Sequence, residues 1–97
     1  MNPLNPCIYI LRFKESGKFY VGSTTDLERR LNQHKQGHTR STKRLGEFKL
    51  VFWQATQDLK SARSAEKQIK SWKRRDFIER IIQDGRIAFL DSADERA

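Results

Sequence analysis

The chain has 97 residues, 20 of them Lys or Arg and 12 Asp or Glu, for a formal net charge of +8. That length suits one domain, no apolar run approaches the roughly 18–20 residues of a membrane span, and the single cysteine, Cys7, excludes an internal disulfide and a cysteine-based zinc cluster. Met1–Pro6 carries no basic cluster followed by an apolar stretch, so the expectation is a cytoplasmic protein with one domain over residues 1–90 and a frayed tail at 91–97.

Taken in chain order, Cys7–Phe13 (CIYILRF) is β-branched and aromatic, too short for a helix, and reads as a buried strand. Lys14–Lys18 contains Gly17 and polar neighbours and reads as a hairpin turn. Phe19–Thr24 (FYVGST) is a second strand, and a glycine inside it, Gly22, marks a bulge or a close backbone approach. Thr25-Asp26-Leu27-Glu28 has the form of a capping box, which opens a helix over about Asp26–Gln36, with Gly37 as its stop. Gly37–Glu47 reads as a polar, basic loop. Phe48–Thr56 alternates Phe48, Leu50 and Phe52 against Lys49, Val51 and Trp53 and reads as a third strand. Asp58 is the expected N-cap of a long helix ending near Arg74, and a shorter helix spans about Asp76–Gln83, ended by Gly85. Ile87–Leu90 is expected to pack as an extended stretch. The order β-β-α-β-α-α predicts an α+β fold: a small three-stranded antiparallel sheet flanked by helices.

Charge is unevenly distributed. Residues 1–28 are neutral, residues 29–75 carry a net +11, and residues 76–97 carry a net −3. A block this basic points to a polyanionic partner, above all nucleic acid, rather than to an ordinary solvated surface. Its cations Arg40, Lys43 and Arg44 in the loop and Lys67, Lys70, Lys73 and Arg74 on the long helix are the candidate phosphate contacts, which position a nucleic acid rather than read its sequence.

Two helices carry polar residues where the apolar period expects hydrophobes. In the first, Arg30 and His34 share a face with Leu27 and Leu31; the arginine can snorkel outward and the histidine can be a satisfied core residue. In the long helix, Leu59, Ala62, Ile69 and Trp72 set a stripe whose middle position is Glu66, the only acidic residue among seven basic ones from Lys60 to Arg75. A carboxylate there must be paired, with Arg30 or another cation, or serve as a metal ligand or acid–base group. Tyr9 and Tyr20 fall on the two paired strands, where cross-strand packing is the plain alternative to chemistry. Trp53 and Trp72 suit the core or its rim, or the stacking of an unpaired base, and Cys7 suits a small buried hydrophobe.

Cys7-Ile8-Tyr9, then Tyr20-Val21-Gly22, then Arg30, His34 and Glu66, together resemble the GIY-YIG nuclease family, in particular its branch of small stand-alone bacterial proteins. The tyrosines are 11 residues apart, and YVGSTTDLERRLNQH and AEKQIKSWKRR are the best-matched stretches, within a likeness covering roughly Cys7–Ile82. The sequence departs from the family pattern in having Cys7 where the first motif has glycine, Ser23 where excision-repair relatives often have lysine, no asparagine in the last helix, and Phe77 where the branch tends to have lysine. The resemblance implies a metal-dependent endonuclease hydrolysing DNA, with Glu66 as sole protein ligand of one Mg2+ or Mn2+, Arg30 clamping the phosphoryl charge, Tyr20 as general base beside Tyr9, and His34 polarising the network or replacing the base. Single-stranded or branched DNA would be favoured by exposed aromatics. The alternatives are a non-catalytic nucleic-acid-binding module and a repair or recombination adaptor acting with a partner protein.

Overall fold

A computed structural model describes residues 6–36 and 46–87. The elements are β1 (Cys7–Phe13), β2 (Phe19–Thr24), α1 (Leu27–Lys35), β3 (Phe48–Ala55), α2 (Leu59–Trp72) and α3 (Arg75–Asp84). The strands form one antiparallel sheet in the order β2-β1-β3, giving the expected α+β architecture. The central place goes to the most apolar strand: every residue of β1 except Arg12 is buried. The β1–β2 hairpin turns on Gly17, which adopts φ 72° and donates its N–H to the Phe13 carbonyl at 2.9 Å.

Both faces of the sheet are covered, and the period-two alternation of β1 sorts the core into two clusters. Cys7, Tyr9 and Leu11 pack with Leu27 of α1, joined by Tyr20, Leu31, Phe48 and Leu50. Ile8 and Ile10 pack with Val21, Phe52, Ala65, Ile69 and Ile81 on the side of α2 and α3. Ile87, which follows α3, is buried in this second cluster and donates its N–H to Oε1 of Gln54 at 2.7 Å. Cys7 is an inert member of the first cluster, with burial pushing its thiol up to about 11.

The structure corrects several sequence expectations. Phe48, Leu50 and Phe52 do not share a face, because a register shift lies between Ile10, opposite Phe52, and Leu11, opposite Leu50. The shift leaves Val51 without an opposite residue and sends Val51 and Phe52 to the α2 side, while Phe48 and Leu50 stay on the α1 side. The N-cap of α1 is Asp26, not Thr25: Thr24 Oγ1 accepts the Asp26 N–H at 3.1 Å, and the Asp26 carboxylate accepts the Arg29 N–H at 3.1 Å. Helix α2 begins after Asp58 as expected but ends at Trp72, because Lys73 takes a left-handed conformation with φ 51° and Arg74 is extended before α3. Gly85, φ 76°, ends α3. No helix among the described residues is long and apolar enough to cross a membrane. The expected stop at Gly37, the basic positions Arg40, Lys43 and Arg44, the stretch 88–90 and the tail 91–97 lie outside the described residues.

Candidate active site

Tyr9 is the centre of the polar cluster and is completely buried. Its hydroxyl lies 2.8 Å from Nε2 of His34 and accepts a hydrogen bond from Nε of Arg30 at 3.3 Å. The ring can sit there because its cross-strand neighbour is Gly22. A Cβ on Gly22 would lie 2.5 Å from both Cζ and Oη of Tyr9. The close approach signalled by this in-strand glycine therefore serves the Tyr9 ring.

Helix α1 supplies Arg30 and His34 one turn apart, on the side that faces Tyr9. His34 is 2% exposed and stands edge-on to three aromatic rings, with centroids 4.9 Å away for Tyr20, 5.9 Å for Tyr9 and 6.0 Å for Phe48. Burial, and then the nearby Arg30 charge, push its pKa down to about 4, so the ring is neutral at physiological pH. Burial likewise pushes Tyr9 up to about 12, against the opposing influence of the Arg30 hydrogen bond. Burial works against the charge of Arg30, but the Tyr9 hydrogen bond and the neighbouring Tyr20 outweigh it and the guanidinium is held above its ordinary range. Arg30 also donates from an Nη to Oε1 of Gln33 at 3.0 Å.

The neutral His34 makes stability pH-dependent. An unfolded chain takes a proton on this ring near 6.5, whereas the folded protein resists until about 4. Between those values the unfolded state binds more protons, so the contribution is complete above about pH 6.5 and is lost as pH falls toward 4. The loss should be on the order of 2–3 kcal/mol. His34→Gln should flatten that part of the profile, read as the difference in urea midpoints at pH 7.5 and 4.5. An equally steep acid loss in the variant would exclude His34 as its source.

The acidic half of the cluster sits around the edge of β2. Ser23 pairs with Ile8 and so points toward α2, where its Oγ donates to Oε1 of Glu66 at 2.6 Å. Lys70, one turn further along α2, places Nζ 2.6 Å from the other oxygen, Oε2. The same ammonium lies 5.7 Å from the centre of the Tyr20 ring. Tyr20 pairs with Leu11 and belongs to the α1-side cluster. The candidate site thus straddles an edge strand, with Tyr9, His34, Arg30 and Tyr20 on one face and Ser23, Glu66 and Lys70 on the other.

Two open grooves run along β2 on either side of this point. One, of about 490 Å3, is lined by Lys18, Tyr20, Lys70, Lys73, Arg74 and Arg75, among others. The other, of about 370 Å3, includes Ser23, Arg29, Arg30, Gln33 and Arg63 in its walls.

Residues 5–80 match the model of the GIY-YIG catalytic domain. The chain belongs to the GIY-YIG family. Its GIY-YIG domain is 40% identical over 78 residues to a UPF0213 protein of Pectobacterium carotovorum subsp. carotovorum (strain PC1), covering 79% of this chain and 77% of that protein. It is 35% identical over 79 residues to the UPF0213 protein YhbQ of Escherichia coli (strain K12), covering 80% and 77%. The fold is similar to the solution NMR structure of a UPF0213 protein from Bacillus halodurans, with a TM-score of 0.52, 32% identity, and coverage of 84% of this chain and 86% of that one.

All five residues singled out by the family motif, Tyr9, Tyr20, Arg30, His34 and Glu66, come together in this GIY-YIG domain through direct contacts or one shared neighbour. Glu66 is not in the middle of the inward face, however. The buried stripe of α2 is Ala62, Ala65 and Ile69, and Glu66 lies at its margin with its side chain 23% exposed. Its cationic partner is Lys70 and not Arg30, which is turned toward Tyr9. Tyr20 and Tyr9 are neighbours with their rings tilted by 30° and centroids 6.3 Å apart, and Tyr9 is bonded to His34 and Arg30.

Of the four expected phosphate contacts within the described residues, Lys70, Lys73 and Arg74 line the larger groove, while exposed Lys67 lines neither. Arg74 is also paired with Asp76 at 2.7 Å. Sequence reasoning missed Ser23 as a partner of Glu66 and Lys18, Arg29, Arg63 and Arg75 as groove cations. Arg63 was open to inference, since it stands three residues before Glu66 and so near it on the helix surface.

Among the described residues no three or more His, Cys, Asp and Glu side chains gather in a metal-binding group. A hard divalent cation can be held by one carboxylate with waters and phosphate oxygens completing its shell. Glu66 fits that requirement: it is a partly exposed carboxylate bonded to Ser23 of one groove and Lys70 of the other, and each oxygen retains a lone pair beyond the bond it already accepts.

Proposed function

We propose that this domain is a metal-dependent endonuclease that hydrolyses DNA phosphodiester bonds, with Glu66 as the ligand of one Mg2+ or Mn2+. The observation that carries this reading is Glu66 itself, a carboxylate bonded to Lys70 of a groove walled by Lys18, Lys70, Lys73, Arg74 and Arg75 and to Ser23 of a groove walled by Arg29, Arg30 and Arg63. A surface built only to bind phosphates would gain from a cation at that point. The chemistry that a divalent ion supplies at such a carboxylate is neutralisation of charge on the phosphoryl oxygens and easier deprotonation of water.

The protein's own groups divide the remaining work. Arg30, held from behind by Tyr9 and Gln33, presents its guanidinium to the groove and stabilises developing phosphoryl charge through its planar fork. Tyr20 lines the other groove, half-buried under the Lys70 ammonium, and is the tyrosine we assign as general base, its phenolate oxygen taking the proton of the attacking water. Tyr9 is unsuited to that step, being fully buried with its pKa pushed up to about 12. Neutral His34 fixes Tyr9, and through Tyr9 the angle at which Arg30 is offered.

The test is cleavage of duplex, single-stranded and branched DNA by the purified protein in Mg2+, Mn2+ or EDTA. Cutting that requires a divalent ion and is lost in Glu66→Ala supports the reading; no cutting with either ion, or undiminished cutting by Glu66→Ala, overturns it. Lys73→Glu should weaken DNA binding about tenfold, and similarly for unrelated sequences, as expected of a phosphate contact. A sequence-selective loss, measured by anisotropy titration over several duplexes, would contradict that role.

A further inference from the structure

Lys70 is in an unusual position. It closes an ion pair with Oε2 of Glu66 at 2.6 Å, while Ser23 fixes the opposite oxygen. Its own side chain is 51% exposed and forms part of the wall of the larger groove, alongside Lys18, Lys73, Arg74 and Arg75. It therefore touches both the carboxylate and the path along which we place the nucleic-acid backbone. The two demands on it compete: a divalent ion on Oε2 and an ammonium 2.6 Å from the same oxygen repel each other, and a backbone phosphate in the groove draws the same cation away from Glu66.

We propose that Lys70 is a placeholder cation. In the free protein it occupies Oε2 of Glu66, and on arrival of nucleic acid it transfers to a backbone phosphate, clearing the carboxylate for the divalent ion. Metal and nucleic acid then bind with positive coupling, and by thermodynamic reciprocity each tightens the other. Lys70 is on this account a positioning residue, and its exposed four-carbon stem, one helical turn from Glu66, lets it swing without disturbing α2. The proposal rests on the assignment of Glu66 as the metal ligand of a nuclease.

The experiment is Mn2+ binding to the intact protein, followed by the EPR signal of free Mn2+, with and without a phosphorothioate DNA oligonucleotide. If Lys70 holds Oε2 in about four-fifths of free molecules, Lys70→Met should tighten Mn2+ binding about fivefold. Lys67→Met, which removes the same charge from the same helix without touching Glu66, should change it less than about twofold. Lys70→Arg should remain close to wild type. The oligonucleotide should tighten Mn2+ binding to the wild type, and this coupling should shrink by about the same fivefold factor in Lys70→Met. The placeholder role alone is overturned if Mn2+ binding requires Glu66, as judged by Glu66→Gln, yet Lys70→Met behaves like Lys67→Met or keeps the full coupling. Mn2+ binding that is absent, or indifferent to Glu66→Gln, overturns the metal-ligand assignment and the placeholder with it.

Discussion

Glu66→Gln should lower metal-supported DNA cleavage by about a thousandfold or more, since one neutral amide replaces the only carboxylate proposed to hold the ion. The fold should survive the change. Glu66 lies at the margin of the buried stripe of α2, and its ion-pair partner Lys70 is half-exposed, so loss of the pair should cost less than about 1 kcal/mol. The amide can still accept from Ser23, which keeps the side chain in place. Thermal melting measured beside cleavage separates the two effects: a variant that melts like the wild type and still cuts at a tenth of its rate would remove Glu66 from the chemistry.

Gly22→Ala should be the most damaging glycine-to-alanine change among the described residues. The added Cβ would lie 2.5 Å from Cζ and Oη of Tyr9, a side chain with no exposed surface and two polar partners. Neither the ring nor the paired strands can give way cheaply, and an overpacked core site of this kind costs about 3 kcal/mol. For a domain of this size that is a fall in melting temperature of about 12–24 °C. Any folded fraction should also cut poorly, because the displaced ring would carry the Arg30 contact with it. In a Tyr9→Leu background, which lacks the colliding atoms, the same Gly22→Ala change should cost much less. Equal penalties in both backgrounds would show that the strain arises elsewhere.

Much of this arrangement was legible in the residues. The bounds of β1 and β2 agree with the reading because both are runs of β-branched and aromatic residues cut off by the Gly17 turn. The five motif residues were identifiable from their types and spacing, but their contacts were not. Periodicity placed Glu66 on the inward face because it could not distinguish the stripe through Trp72 from the one through Ala65. The pairing of Glu66 with Lys70 and Ser23 depends on how α2 lies against β2, which no local pattern encodes. Three successive capping residues, Thr24, Thr25 and Asp26, left the start of α1 ambiguous by one position. The end of α2 was hidden for a different reason, since a lysine rather than a glycine takes the left-handed turn. The change of face in β3 follows from a register shift that an alternating sequence conceals.

The strand order β2-β1-β3 has a consequence for how the protein fails. Tyr9 belongs to the middle strand, hydrogen-bonded on both sides and sealed in the core, so its place in the sheet cannot be lost by fraying of an edge strand. Amide exchange along Cys7–Leu11 should then report the global unfolding free energy rather than local opening. Heating or denaturant should accordingly remove this anchor as a single event: the strand that sets Tyr9 behind Arg30 persists until the domain itself comes apart.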